Sequence, residues 1–144
     1  MPRVEKQITI NAPADRVFSY LADFPRHSEW AQHRLKLEPM SPGPVGQGTT
    51  FQSVGHQMGR DFEETVTVTE FAPNERIVFE SQGREARFRH WIQLQPGDGG
   101  VQVTKGFEVV KAPFPMSLLA PVIMTLMVHI NGDLMRIKAK VEGS

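Results

Sequence analysis

Phe62–Ser81 reads FEETVTVTEFAPNERIVFES, a strand, a turn and a second strand. Phe62, Val66 and Val68 share one parity, as the buried side of a half-buried strand does. The run breaks at Ala72-Pro73-Asn74, residues that suit a tight turn, and Arg76 to Ser81 starts a new strand. So short a connection joins antiparallel neighbours, because parallel ones need a crossover of a dozen residues or more.

The same pattern extends in both directions. On the N-terminal side, Leu35 and Leu37 form a short strand. The Pro/Gly-rich loop PMSPGPVGQG (39–48) follows, then a strand from Thr49 to His56 and a turn at Gln57-Met58-Gly59. On the C-terminal side, Arg87 to Gln95 and Val101 to Val110 flank the turn Pro96-Gly97-Asp98-Gly99-Gly100. No helix-length segment separates these strands, which argues against a parallel sheet. Near the start, Val4, Ile8 and Ile10 alternate with Glu5, Gln7 and Thr9, predicting one further strand. NAPADRVFSYLADF then predicts a short amphipathic helix. Pro13 suits its first turn, Asp15 complements its dipole, and Val17, Phe18, Leu21 and Phe24 fall on one face. Pro25 stops it, and PRHSEW predicts a second short helix or turn leading to Trp30. After Ala112-Pro113-Phe114-Pro115 the period becomes helical, and Ile123, Leu126, Met127, Ile130, Leu134, Ile137 and Val141 gather within one arc.

The 144 residues suit one domain, 1–144, with 40% apolar and 22% charged residues. Lys plus Arg and Asp plus Glu each number 16, a balance that gives no footprint for nucleic acid. There is no cysteine, which excludes disulfides, thiolate metal sites and a cysteine nucleophile. MPRVEKQITI lacks an apolar signal core, and Met116 to Ile130 is too short and too interrupted by Pro121 for stable membrane insertion. A cytoplasmic protein is expected.

The order strand, two short helices, six strands, long helix resembles the START-related helix-grip superfamily, in its bacterial polyketide cyclase/dehydrase and lipid-transport branch. The matching stretches are ITINAPADRVFSYLADFPRHSEW, VGQGTTF, VTEFAPNERIVFES and DLMRIKAKVE. The resemblance implies an α+β fold of the START/Bet v-allergen kind: a seven-stranded antiparallel sheet wrapped around the C-terminal helix, with a cavity between them. Related proteins bind sterols, lipids, polyketides or plant hormones, and a minority are cyclases or dehydratases.

Strand parity nominates the residues facing such a cavity. His90 lies among Phe88, Ile92 and Leu94; Lys105 among Val101, Val103, Phe107 and Val109; Glu64 among Phe62, Val66 and Val68. A charge buried without a partner costs several kcal/mol, so each is paired, at the cavity mouth, or functional. A bulge would invert any of these assignments. On the last helix Asn131 falls between the main apolar arc and a second strip of Met124, Val128 and Met135, where a buried amide needs a partner. The ligand-binding candidates are therefore Trp30, Phe51, Phe79, Phe88, His90, Lys105, Phe107, Met127 and Asn131, and the catalytic candidates are His90 and Glu64.

Other chemistry is missing. There is no HExxH, no GxSxG and no P-loop ending, and Ser19, Ser28, Ser53 and Ser81 have no evident base. His27 and His33, six apart, match no common zinc spacing, so neither metal nor cofactor is implied. Three readings follow. The first is a binding or transport module for a small apolar molecule such as a lipid, isoprenoid or aromatic polyketide. The second is a cyclase or dehydratase using the same cavity, with His90 moving a proton. The third is a protein-interaction module, for which the apolar 116–130 segment is also a candidate homodimer contact.

Overall fold

The computed structural model describes residues 3–31, 34–57, 59–84, 86–112 and 120–143, with backbone alone at 34–35, 57, 60 and 120–129. Its strands are β1 (Arg3–Ile10), β2 (Arg34–Pro39), β3 (Thr50–Gln57), β4 (Arg60–Ala72), β5 (Arg76–Gln82), β6 (Arg87–Gly97) and β7 (Gly100–Lys111). Helix α1 (Ala14–Ala22) and a 3-10 segment (Phe24–Glu29) stand between β1 and β2, and α2 (Ala120–Glu142) follows β7.

The seven strands form one sheet in the order β1-β7-β6-β5-β4-β3-β2, and every neighbouring pair is antiparallel. β1 and β2 are therefore opposite edges. The chain crosses from one to the other through α1 and the 3-10 segment, then returns strand by strand. The β4–β5 turn needs a left-handed residue, and Asn74 supplies it at φ 65°.

One face of the sheet packs on α1, the 3-10 segment and α2. From α2, Ile130, Leu134, Ile137 and Val141 are buried at i, i+4, i+7, i+11 spacing, each worth about 1.5–3 kcal/mol of apolar burial. They join Ile10, Val17, Leu21, Phe51, Val66, Phe79, Ile92 and Val103 in one core. This is the helix-grip arrangement of the START and Bet v-allergen proteins.

β4 departs from simple alternation in two places. The β4–β5 register shifts between Val68 and Glu70, so the inward parity passes from even positions (Val66, Val68) to Phe71, which pairs with Ile77 and meets Phe18 edge-on at 5.3 Å. Phe62 keeps the inward parity but is 43% exposed, toward the Gln57/Arg60 end of the β3–β4 hairpin.

Candidate functional site

The helix-covered face is built in rows across the strands. Phe79, His90 and Phe107 are direct cross-strand partners on β5, β6 and β7. The His90 ring stacks on Phe79 at 4.8 Å between centroids and 12° between planes, and lies 6.3 Å from Phe107. The next row runs Phe51, Val66, Ser81, Phe88, Val109. On the other side, Ile77, Ile92, Lys105 and Lys6 align. From the 3-10 segment, Phe24 stacks on Phe51 at 4.7 Å and meets Phe79 edge-on at 5.2 Å. His27 lies 4.4 Å from Phe24 and 4.6 Å from Trp30. A continuous aromatic surface thus runs from Trp30 to Phe107.

Polar groups are set into that surface, and burial obliges them to find partners. Ser81 Oγ and His90 Nε2 are hydrogen-bonded at 3.0 Å, both buried. The ring of His27, itself buried, donates from Nε2 to the carbonyl oxygen of Leu21 at 2.7 Å. Lys105 is only 4% exposed, so it does not snorkel to solvent, and its Nζ stands 5.7 Å from the centre of the Trp30 ring. Asp133, 1% exposed on the buried seam of α2, accepts from Arg136 at 2.6 Å. The Nε–H of Arg136 donates to the backbone carbonyl of Trp30 at 2.7 Å, tying the 3-10 segment to α2.

The 3-10 segment is held from outside as well. The Tyr20 hydroxyl donates to Glu29 at 3.1 Å, and Arg26 donates to the same carboxylate. Burial and the Glu29 carboxylate keep the Tyr20 phenol well above its ordinary pKa, so it stays a neutral donor. Hydrogen bonds from Arg26 and then Tyr20 hold the Glu29 carboxyl below its ordinary value.

Of the residues nominated from sequence, the fold gathers Trp30, Phe51, Phe79, Phe88, His90, Lys105 and Phe107 on the helix-covered side. Glu64 keeps the inward parity but is half-buried, paired with Ser53 on β3 and two strands from His90. Asn131 is exposed and Met135 is 62% exposed, so the second apolar strip turns outward there. Among the described side chains of α2, the polar residue presented inward is Asp133. Asn131 and Asp133 flank the Ile130–Leu134 seam at nearly equal angles, and the flank that carries Asp133 is the covered one. The Met127 side chain and the 116–130 dimer contact fall mostly outside the described residues.

Ser81 was the residue that sequence reading left without a base. It lies diagonally across the β5–β6 ladder from His90, a relation visible only once the Ser81–Phe88 register is known. Among the described residues no cluster of three or more His, Asp or Glu is placed to hold a metal. No helix among them is long and apolar enough to cross a membrane.

An open antiparallel sheet closed over a terminal helix, with an aromatic inner face carrying a few buried polar groups, defines a helix-grip protein of the START class. More narrowly, residues 1–142 match the model of the family described as polyketide cyclase / dehydrase and lipid transport, and the chain belongs to that family. Among curated proteins none is similar enough to match. Solved structures share the fold at low identity. The protein TTHA0849 from Thermus thermophilus superposes with a TM-score of 0.81 at 20% identity, over 99% of this chain and 98% of that one. The Zhui aromatase/cyclase from Streptomyces sp. R1128 gives 0.79 at 18% identity, over 98% and 93%. A START superfamily protein from Mycobacterium smegmatis gives 0.77 at 17% identity, over 98% and 97%.

Proposed function

We propose that the protein binds a small, largely apolar, ring-bearing molecule between the helix-covered face of the sheet and α2. Supporting this is the aromatic surface from Trp30 through His27, Phe24, Phe51 and Phe79 to His90 and Phe107, interrupted by only a few polar groups. Small-molecule sites have that composition, apolar walls with few orienting groups. Family membership points the same way. Titration with the neutral fluorophore N-phenyl-1-naphthylamine tests it: saturable binding at one site, with enhanced emission, is expected. Emission that rises without saturating would sink the proposal.

One observation favours a second reading, in which the bound molecule is also transformed. The Ser81–His90 hydrogen bond orients an imidazole toward the same aromatic surface, as a general base requires. The structurally similar Zhui protein is by its description an aromatase/cyclase. In this reading His90 takes a proton from an activated carbon of a poly-β-ketone during ring closure, and Ser81 fixes the ring's orientation. A thioester-linked poly-β-ketone analogue would then yield an aromatic product. His90→Ala would lower turnover at least 100-fold while leaving fluorophore binding within about twofold. Equal turnover by His90→Ala would exclude it.

A further inference from the structure

The binding reading leaves open what polar group the ligand carries, and Trp30 bears on it. The residue is fixed through both of its backbone groups. Its amide donates to the His27 carbonyl at 3.1 Å, and its own carbonyl accepts from Arg136 at 2.7 Å. The side chain is buried, and its ring centre lies 4.6 Å from that of His27. It thus adjoins the aromatic run that continues through Phe24 to Phe51 and Phe79. In this setting the indole Nε1–H has no hydrogen-bond partner among the described residues.

An indole N–H donates and cannot accept, so only an acceptor satisfies it. The two cations beside the residue offer none. Lys105 stands over the ring's face and Arg136 holds the Trp30 carbonyl, and neither ammonium nor guanidinium has a lone pair to give. A buried donor held in place and left unsatisfied disfavours the empty site and favours a guest that brings an acceptor. Resting on the binding reading above, we infer that the ligand carries a hydrogen-bond-accepting oxygen at one edge of its ring system, seated on the Trp30 indole N–H, with the rings along Phe24, Phe51 and Phe79. Trp30 is then a specificity-determining residue, separating oxygenated ring compounds from hydrocarbons of the same shape. The donor alone makes this selection, whatever the ligand's charge.

The test pairs 2-acetylnaphthalene with 2-isopropenylnaphthalene, two uncharged molecules of nearly the same shape that differ by C=O against C=CH2. By calorimetry on the full chain, the ketone should bind about tenfold more tightly, although the alkene is the more apolar. Trp30→Phe should abolish that preference. Because the substitution also opens space in the core, the wild-type protein gives an independent readout. It has two tryptophans. With the ketone bound, the indole N–H resonance of Trp30 should lie downfield of its position with the alkene bound, while that of Trp91 is the same in both complexes. Equal affinities, or one position for the Trp30 resonance in both complexes, overturn the inference even if N-phenyl-1-naphthylamine binds; an internal water would then be what serves the N–H. Failure of all three compounds to bind overturns the binding reading together with it.

Discussion

The two tryptophans of this protein are both buried, yet the regions around them are finished in opposite ways. Trp91 lies on the outer face of the sheet, in the row Val78, Trp91, Gly106, Glu5. Its Nε1–H donates to the Glu5 carboxylate at 2.7 Å, and the Arg3 guanidinium caps its ring at 4.8 Å. The ring lies flat on β7 because residue 106 is glycine: a Cβ there would stand 2.4 Å from Trp91 Cζ2. Every polar atom of that indole is satisfied and every contact closed. Trp30, under α2, has an indole N–H with no partner and a lysine against its face. The outer site is complete as folded, whereas the inner one leaves a buried donor unsatisfied.

The largest effect that would break this contrast is at Gly106. Gly106→Val should cost about 3 kcal/mol in denaturant unfolding, since the ring and the β7 backbone cannot both keep their places. A cost under about 0.5 kcal/mol would mean that Trp91 is not closed in as described. Next is the tie between α2 and the 3-10 segment. Arg136→Met removes the donor to the Trp30 carbonyl and strips a buried carboxylate of its cation, for an expected loss of about 2 kcal/mol. The indole resonance of Trp30 should shift in that variant and that of Trp91 should not; movement of both would show that the two sites are not independent.

The smallest effect is on acid stability. The Glu29 carboxyl is held below its ordinary value of 4.5, first by Arg26 and then by Tyr20. A carboxyl depressed on folding stabilises the protein above the unfolded value and loses that contribution as pH falls through the lower folded one. Stability should therefore decline below pH 4.5, and Glu29→Gln should flatten that slope slightly, the pair being largely solvated. Since Glu29 anchors the segment that ends at Trp30, the acid change should appear at the Trp30 resonance before that of Trp91. Simultaneous change would remove Glu29 as a local anchor.

Much of the inner site was legible in the residues, through period. Alternation placed His90 and Lys105 inward correctly because β6 and β7 carry no bulge between Phe88 and Leu94 or along Val101–Val109. It could not see that β4 changes parity at Thr69, since a bulge is one residue with no compositional mark here. On α2 the buried seam at Ile130, Leu134, Ile137 and Val141 followed from 3.6-residue spacing, but the width of the buried arc did not. Asn131 and Asp133 flank that seam, and only the position of the sheet and of the 3-10 segment decides which one is covered.

The sequence alone determined the antiparallel sheet, the terminal helix and the inward parity of the principal aromatic residues. Those depend on local spacing, turn residues and the hydrophobic effect, all written within a few residues of each position. Tertiary structure decided the pairing of Ser81 with His90, the bond from Arg136 to the Trp30 carbonyl, the alignment of Lys6 with Lys105, and the unpartnered indole of Trp30. Each joins elements whose register and docking are set by packing of the whole core, and no local pattern carries that information.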